Sequence, residues 1–500
     1  MFSRTWSNCY PVSSVGRPSF VTEFGVWDER QTAAAEQIEA GLGDIDLIRV
    51  VFCDPHGLAR SKTLSSDVFR TVLRNGMDFS PGPFLFDTGH AVALNFLEED
   101  AELGVGEILG AGDFVLVPDP STFQVLPGIE PRTALVLGDE FLRDGSPHPL
   151  GTRSVLRRVC AQYASRELAP VVGLEVEWYL TRLLGDAPGH AGNGFGRQGS
   201  APSVQAMNSG YQFNLDAYSD SVSAVTGPLC ALLLDLGLPL RTMEHESGPG
   251  QLETTFSPML ALEAADGMLL FRTLTKQFCA RRGFHASFMA LPGLESFDPS
   301  GWHVHQSVMN TKTGENLFAA TDSPDGMSSH GKGYADSLLA HARDLCMLSV
   351  PTINGYRRLS PDFALSPTRI DQSFENRTAM LRILGSHGTT HVENRIAEPC
   401  ANPYLAIAAQ LFAGLDGITG DFVRAQEDAS SQSLPRTLHE SLAEFRGSRA
   451  ARDLLGAPLA SCLSKLKESE IARYAEWSGG EHTLPGEVTD WEQREYFEVY

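Results

Sequence analysis

In the stretch GLEVEWYL at 173–180, two glutamates, Glu175 and Glu177, interrupt an otherwise apolar run that follows Ala-Pro-Val-Val. Val, Leu, Trp and Tyr between turn residues predict a strand. On a strand both carboxylates share one face, roughly 6.6 Å apart at about 3.3 Å per residue. Parallel carboxylates in apolar surroundings repel and lose hydration. That face is therefore either in water, as on a half-exposed edge strand, or covered by a cation.

Other stretches carry chemistry at similar spacing. HESGPGQLETTF (245–256) sets Glu246 and Glu253 at either end of a Gly-Pro-Gly turn, which brings both carboxylates toward one point. WHVHQSV (302–308) puts His303, His305 and Ser307 on one face of a strand. HVENRIAEP (391–399) does the same with His391, Glu393 and Arg395. Arginines cluster nearby: Arg357 and Arg358 in NGYRRLSP, and Arg377 and Arg382 in ENRTAMLRI. The guanidinium fork suits carboxylate and phosphate oxygens. Singly these read as loops, core histidines and surface charge. Jointly, five glutamates and a histidine beside arginines form a phosphoryl-transfer site. One imidazole among oxygen ligands suits Mg²⁺ or Mn²⁺ better than zinc. Such cations bridge nucleotide phosphates.

The elements that must position these groups follow an α+β pattern. The first 25 or so residues read as an irregular, variable extension, and residues 44–64 as two strands around a Pro-His-Gly turn. DFVLVPDPSTFQVLPG (113–128) adds another strand to a small sheet-containing region, and GDEFLRDGSPHPLGTR (138–153) reads as the boundary. Beyond it, 155–168 and 257–283 carry helical apolar spacing between short polar-decorated strands. The part past about 425 reads as surface helices ending in very acidic residues.

Composition narrows the class. The chain has 500 residues, 42% hydrophobic and 20% charged, as in a soluble globular protein. No uninterrupted apolar run of about 18 residues and no signal-type start is present, so a cytoplasmic address is expected. Eight scattered cysteines without a C-x-x-C pair read as reduced thiols. A net charge of −23 argues against nucleic acid as a partner.

The motifs G-x-E-x-E, E-x-G-P-G-Q-x-E, H-x-H-Q-S, N-x-Y-x-R-L, N-R-x-A-x-x-R and E-N-R…ANPYLA, in this order, resemble the glutamine synthetase family from about residue 44 to 425. The resemblance implies a β-grasp domain (26–143) and a catalytic domain (144–500) with a curved antiparallel sheet. It further implies two stacked hexameric rings (a dodecamer) with active sites between neighbouring subunits. On matched positions, Glu177, Glu246 and Glu253 would hold one cation, and Glu175, His303 and Glu393 a second, on the nucleotide side. Two or three Mg²⁺ or Mn²⁺ ions per site, with ATP as co-substrate, would follow. Arg358 and Arg395 would bind glutamate, Arg377 would steady the moving phosphoryl group, and His305, Ser307 and Arg382 would contact nucleotide. Asp54, in the Asp54–Gly57 loop, would come from a neighbouring subunit as a catalytic group.

Departures from the family pattern keep the metal and phosphoryl groups and leave the amine end less polar. The family's flap glutamate is replaced by Leu365 or, on the other alignment, Ala364, within DFALSPTR. Asp298-Pro299 stands for an asparagine-glycine pair, Ala290-Leu291-Pro292 for P-K-P, His391 for an arginine, and Trp302 for a methionine. Ala364, Leu365 and Trp302 are thus amine-site candidates. Ammonium is a cation at neutral pH and calls for an anionic cage, so this pattern resembles the γ-glutamylamide synthetases acting on organic amines. An aromatic amine such as aniline, or an alkyl amine, is the expected acceptor. Ammonia, a polyamine, a non-catalytic nucleotide- or glutamate-binding regulator, and a metal-dependent hydrolase are the alternatives.

Overall fold

A computed structural model describes residues 18–97, 103–185, 194–320, 323, 326–420, 433–480 and 486–500. Its first six strands are β1 (Leu47–Cys53), β2 (Ala59–Ser65), β3 (Met77–Phe79), β4 (Phe114–Pro118), β5 (Gln124–Val125) and β6 (Thr133–Phe141). They form a sheet of order β2-β1-β6-β4-β3, with β5 on β6. β1 and β2 pair antiparallel from Leu47↔Ser65 to Cys53↔Ala59, so the Pro-His-Gly turn closes a hairpin as its residues predict. Gly57 adopts φ +83°, and a Cβ there would lie 2.8 Å from the Asn402 Cα, so the turn requires glycine.

Ten further strands follow: β7 (Leu168–Leu183), β8 (Val204–Ala206), β9 (Leu240–His245), β10 (Gln251–Phe256), β11 (Met259–Leu260), β12 (Phe284–Ser287), β13 (Trp302–Asn310), β14 (Gln372–Phe374), β15 (Leu381–Leu384) and β16 (His391–Asn394). Their order is β14-β15-β16-β13-β7-β10-β9, with β8, β11 and β12 also paired to β7. β7 is therefore central, which corrects the edge-strand reading of GLEVEWYL. Its opposite faces differ as the pleat demands. Leu174, Val176 and Trp178 are buried in the core. The Trp178 ring stacks on Phe288 at 5.8 Å and its indole N–H donates to Thr254 Oγ1 at 3.0 Å.

Helices back this sheet. The helix Pro403–Thr419 starts with proline in its first turn, is capped by Asn402 Oδ1, which accepts from the Tyr404 and Leu405 amides, and ends at left-handed Gly420. Twelve of its 17 residues are buried, so it is a core helix that packing, not amphipathicity, holds. Arg153, on the helix Thr152–Ala164, ties the two sheets' surroundings together through Asp119, Asp139 and Asp266. Among the described residues one helix, Asp216–Asp235, is long and apolar enough by composition to reach a membrane span. Its Val222, Val225, Leu229 and Leu233 belong to the main core.

Two expectations need correction. Phe20–Phe24 is helical, within the region read as irregular. The acidic stretch near residue 500 is not a surface tail. In and after the helix Asp490–Tyr496, the residues Trp491, Glu492, Glu495, Tyr496, Phe497 and Tyr500 are all buried, because its aromatic residues pack inward and its acids have partners there. Cys9 lies outside the described residues; the other seven cysteines are free thiols.

Candidate active site

Cross-strand register assembles the predicted acids. On β10 and β7 Glu253 lies opposite Glu177, and on β13 and β7 His303 lies opposite Glu175. On β13 and β16 His305 lies opposite Glu393, which in turn faces Arg382 on β15. Adjacent strands are about 4.8 Å apart, so the alternating faces of five strands converge on one polar strip. Glu175 Oε1 accepts from His303 Nδ1 at 2.6 Å, and Glu175 Oε2 accepts from His305 Nε2 at 3.1 Å. His303 Nδ1 lies 3.8 Å from Glu393, and His303 Nε2 lies 3.8 Å from Glu177. Glu393 is fully buried and accepts from both Arg395 and Arg382.

Two donor groups have the compactness a cation needs. In each of Glu175/His303/Glu393 and Glu177/Glu253/His303, the ligand atoms lie within 4.8 Å of one another. The first reproduces the predicted nucleotide-side set. The second keeps Glu177 and Glu253 but holds His303 where Glu246 is expected. Burial and the charges of Glu177 and Glu244 nonetheless push the Glu246 carboxyl up to about 7. Burial and crowding by Glu175 and Glu177 push Glu253 higher still. For Glu175, burial is outweighed by the hydrogen bonds from His303 and His305, which hold it well below the usual carboxylate range. Burial of Glu393 is likewise outweighed by His303 and Arg395. Oxygen-rich donors raised by burial and by one another's charge, beside carboxylates already ionised, fit hard divalent cations.

The arginines divide. Arg358 and Arg395 lie together at the end of β16, where Arg358 Nη2 donates to the Arg395 carbonyl at 2.8 Å. Arg358 also donates to the Ile396 carbonyl at 3.1 Å, and burial lowers its guanidinium to about 10. Arg395 lies one residue beyond β16, whereas the sequence pattern extends the strand through it. A Cβ on Gly301 would sit 2.5 Å from Arg358 Nη2 and 2.8 Å from His303 Nε2, so only glycine admits both. Arg382 bridges Glu393 at 3.3 Å and Glu375 at 2.8 Å. Arg377 is exposed between β14 and β15 and joins none of these ion pairs. His391 Nδ1 donates to the Thr389 carbonyl at 2.7 Å, with its ring 5.2 Å from that of His305. Ser307 lines a cleft of about 740 Å³ with Met309, Asn316 and His387.

The remaining candidates lie elsewhere. Ala364 and Leu365 are exposed in the loop after Arg358, Leu365 by 59%. Trp302 is fully buried in the main core, because it alternates with His303 and faces the other side of β13. That removes it from the amine-site candidates. Asp54 is also buried: its carboxylate accepts from the His56 and Leu58 amides and from Arg60 Nε at 2.7 Å, closing its own turn.

The sequence reading missed Glu244. It faces Glu253 across β9 and β10 and accepts from the Thr242 hydroxyl at 3.1 Å, extending the carboxylate row to Glu177–Glu253–Glu244. Its signal was the Glu244-x-Glu246 spacing, which repeats that of Glu175-x-Glu177. Glu375, the partner of Arg382, carried no comparable signal.

Comparison with known proteins gives this arrangement its family. The model of the glutamine synthetase catalytic domain matches residues 149–496. The chain belongs to the glutamine synthetase family. It is 36% identical to a gamma-glutamylanilide synthase from Acinetobacter sp, over 96% of this chain and 99% of that protein. It is 30% identical to a glutamine synthetase from Methanosarcina mazei, over 86% of this chain and 92% of that one. A solved structure described as a GmaS/ADP complex superposes with a TM-score of 0.71 at 27% identity, covering 92% and 98% of the two chains. The glutamine synthetase family comprises ATP-dependent ligases that use divalent metal ions, and this chain is such a ligase with a glutamine synthetase-like α+β fold.

Proposed function

We propose that the chain joins the γ-carboxyl of glutamate to an organic amine, aromatic (aniline-like) or alkyl, through γ-glutamyl phosphate. The observation that carries this reading is the loop after Arg358. It offers apolar, exposed Ala364 and Leu365 where a carboxylate is needed to capture and deprotonate ammonium. The 36% identity to a gamma-glutamylanilide synthase supports it.

In this reading Arg358 and Arg395 grip glutamate, and its γ-carboxylate oxygen attacks the terminal phosphorus of ATP, releasing ADP. Arg377 steadies the phosphoryl group, and His305, Ser307 and Arg382 contact nucleotide. Glu175, His303 and Glu393 would hold one cation and Glu177, Glu246 and Glu253 another; these neutralise phosphate charge when bound. The amine nitrogen then attacks the acyl carbon, phosphate leaves, and the nitrogen's surplus proton passes to solvent. Burying an aromatic ring contributes a few kcal/mol at about 25 cal/mol per Å².

The two-domain division at residue 143, with the first sheet as the β-grasp unit, belongs to the same proposal. No strand pairs across the two sheets among the described residues. So does a cytoplasmic assembly of stacked hexameric rings, in which Asp54 shapes the turn offered to a neighbour's site. Glu244 favours a second reading, a cationic acceptor such as a polyamine, because it adds a carboxylate to the row. The test is ADP release, which should require glutamate and an amine together, one ADP per amide formed. Mass photometry of the same active sample should show a large ring assembly. ADP release without amine would favour a hydrolase, and none under any condition would favour a regulator.

A further inference from the structure

The segment at 486–500, in which Trp491, Glu492, Glu495, Tyr496, Phe497 and Tyr500 are buried, has no part in the chemistry described so far, yet it contacts the 291–293 and 362–363 stretches. Glu492 is fully buried and accepts from Arg357 Nε at 3.0 Å, from Asn354 Nδ2 at 3.3 Å and from the Thr489 hydroxyl at 2.8 Å. Asn354 in turn brackets Leu291, donating to its carbonyl at 2.9 Å and accepting from its amide at 2.8 Å. Gln493 Oε1 accepts from the Gly293 amide at 2.7 Å. Gly486 packs so closely on the next loop that a Cβ there would lie 2.9 Å from Asp362 and 3.6 Å from the Phe363 ring. The Tyr500 hydroxyl donates to the His56 carbonyl at 3.3 Å, on the Asp54–Gly57 turn.

The segment also bonds elsewhere, to Gln198, Lys276 and His285, but two of its contacts fall on or beside altered stretches. Leu291 lies in the Ala-Leu-Pro triplet and Asp362–Phe363 directly precede Ala364 and Leu365, two of the stretches where this chain departs from the family pattern. Arg357 adjoins Arg358 on the short helix Gly355–Arg358, so the Glu492–Arg357 pair also fixes that helix. None of these hydrogen bonds reaches the carboxylates of β7, β10 or β16.

We propose that the 486–500 segment positions the acceptor side of the active site, with Glu492 as the positioning residue that locks the 291–293 loop and the Arg357–Arg358 helix to each other. A buried charge with three partners holds a fixed geometry, because any rearrangement leaves one of them unsatisfied. The inference rests on the ligase reaction and not on which amine is used.

The experiment is steady-state kinetics on the full-length enzyme with ATP, glutamate, and aniline or ammonium chloride. In Glu492→Gln, KM for the accepted amine should rise about tenfold and the ratio of kcat/KM for aniline to that for ammonia should shift by about fivefold, while KM for ATP stays within about twofold. Glu492→Asp should recover most of the loss. Gln493→Ala, which removes only the Gly293 contact at the rim, should move the amine KM about threefold the same way. An amine KM that is unchanged, or that rises in step with the ATP KM, overturns the proposal. If Glu492→Gln does not fold, Gln493→Ala decides alone. Should the unaltered enzyme ignore aniline, the amine assignment fails, and this test runs on whichever amine is turned over.

Discussion

The carboxylate face of the large sheet and the loops at 290–299 and 360–366 are held in different ways. On the sheet, register fixes Glu177 opposite Glu253 and His303 opposite Glu175, and the backs of the same strands are sealed by Trp178, Val176 and Val304. On the loop side, Tyr179 Oη bonds both the amide and the carbonyl of Asp298, at 2.7 and 3.0 Å, and Gln251 Nε2 donates to the Pro299 carbonyl at 3.1 Å. The sheet can hold its geometry while the loops change residue by residue. The difference teaches that strand register fixes the carboxylate face, whereas the loops depend on a few side-chain hydrogen bonds.

The largest effect should come from breaking the sheet side. Glu393→Gln removes a buried charge that engages Arg382, Arg395 and His303. ATP-dependent turnover should fall by about 100-fold or more, with folding and assembly intact. Normal turnover at limiting Mg²⁺ would undo the assignment of that ligand set.

A second test sharpens the same side through pH. Burial and crowding raise Glu246 to about 7 and Glu253 above it, so near neutrality both retain protons that an incoming cation must displace. Metal binding therefore releases protons, and affinity should tighten as pH rises from 6 to 9, by up to about tenfold per pH unit for each carboxyl still protonated, the Glu246 contribution levelling off above about pH 7 and the Glu253 contribution above about pH 9. Titration calorimetry in buffers of different ionisation enthalpy measures this. Binding that is flat across the range would mean that neither carboxyl is a ligand.

The same contrast explains what was legible beforehand. Glu175, Glu177, His303 and Glu393 could be read because strand alternation turns spacing into a shared face. Glu253 needed the turn as well, and Glu246 falls outside the two compact donor groups because it sits just past the end of β9. Trp302 was misplaced by the same alternation: one position from His303 is the opposite face. Asp54 was visible as a turn residue, but not that its own backbone amides and Arg60 occupy its carboxylate. The 486–500 segment looked like an acidic surface tail because composition reports charge, not partners. Glu492 and Glu495 are buried against Arg357 and Arg473, more than 20 residues away in the chain.

The smaller and more pointed effect belongs to the loop side. Leu365→Glu, or Ala364→Glu if that is the true equivalent, should shift preference toward ammonia by about tenfold while leaving the ATP KM alone.

The central claim is tested most directly in the unmodified enzyme, as the ratio of kcat/KM for aniline-like amines to that for ammonia. At the flap position after Arg358, Ala364 or Leu365 stands in place of the carboxylate that would strip a proton from ammonium, whereas an arylamine arrives neutral with a ring to bury. The ratio is therefore expected to lie well above one, by about 100-fold. A ratio below one would contradict the amine assignment and leave a ligase that uses ammonia.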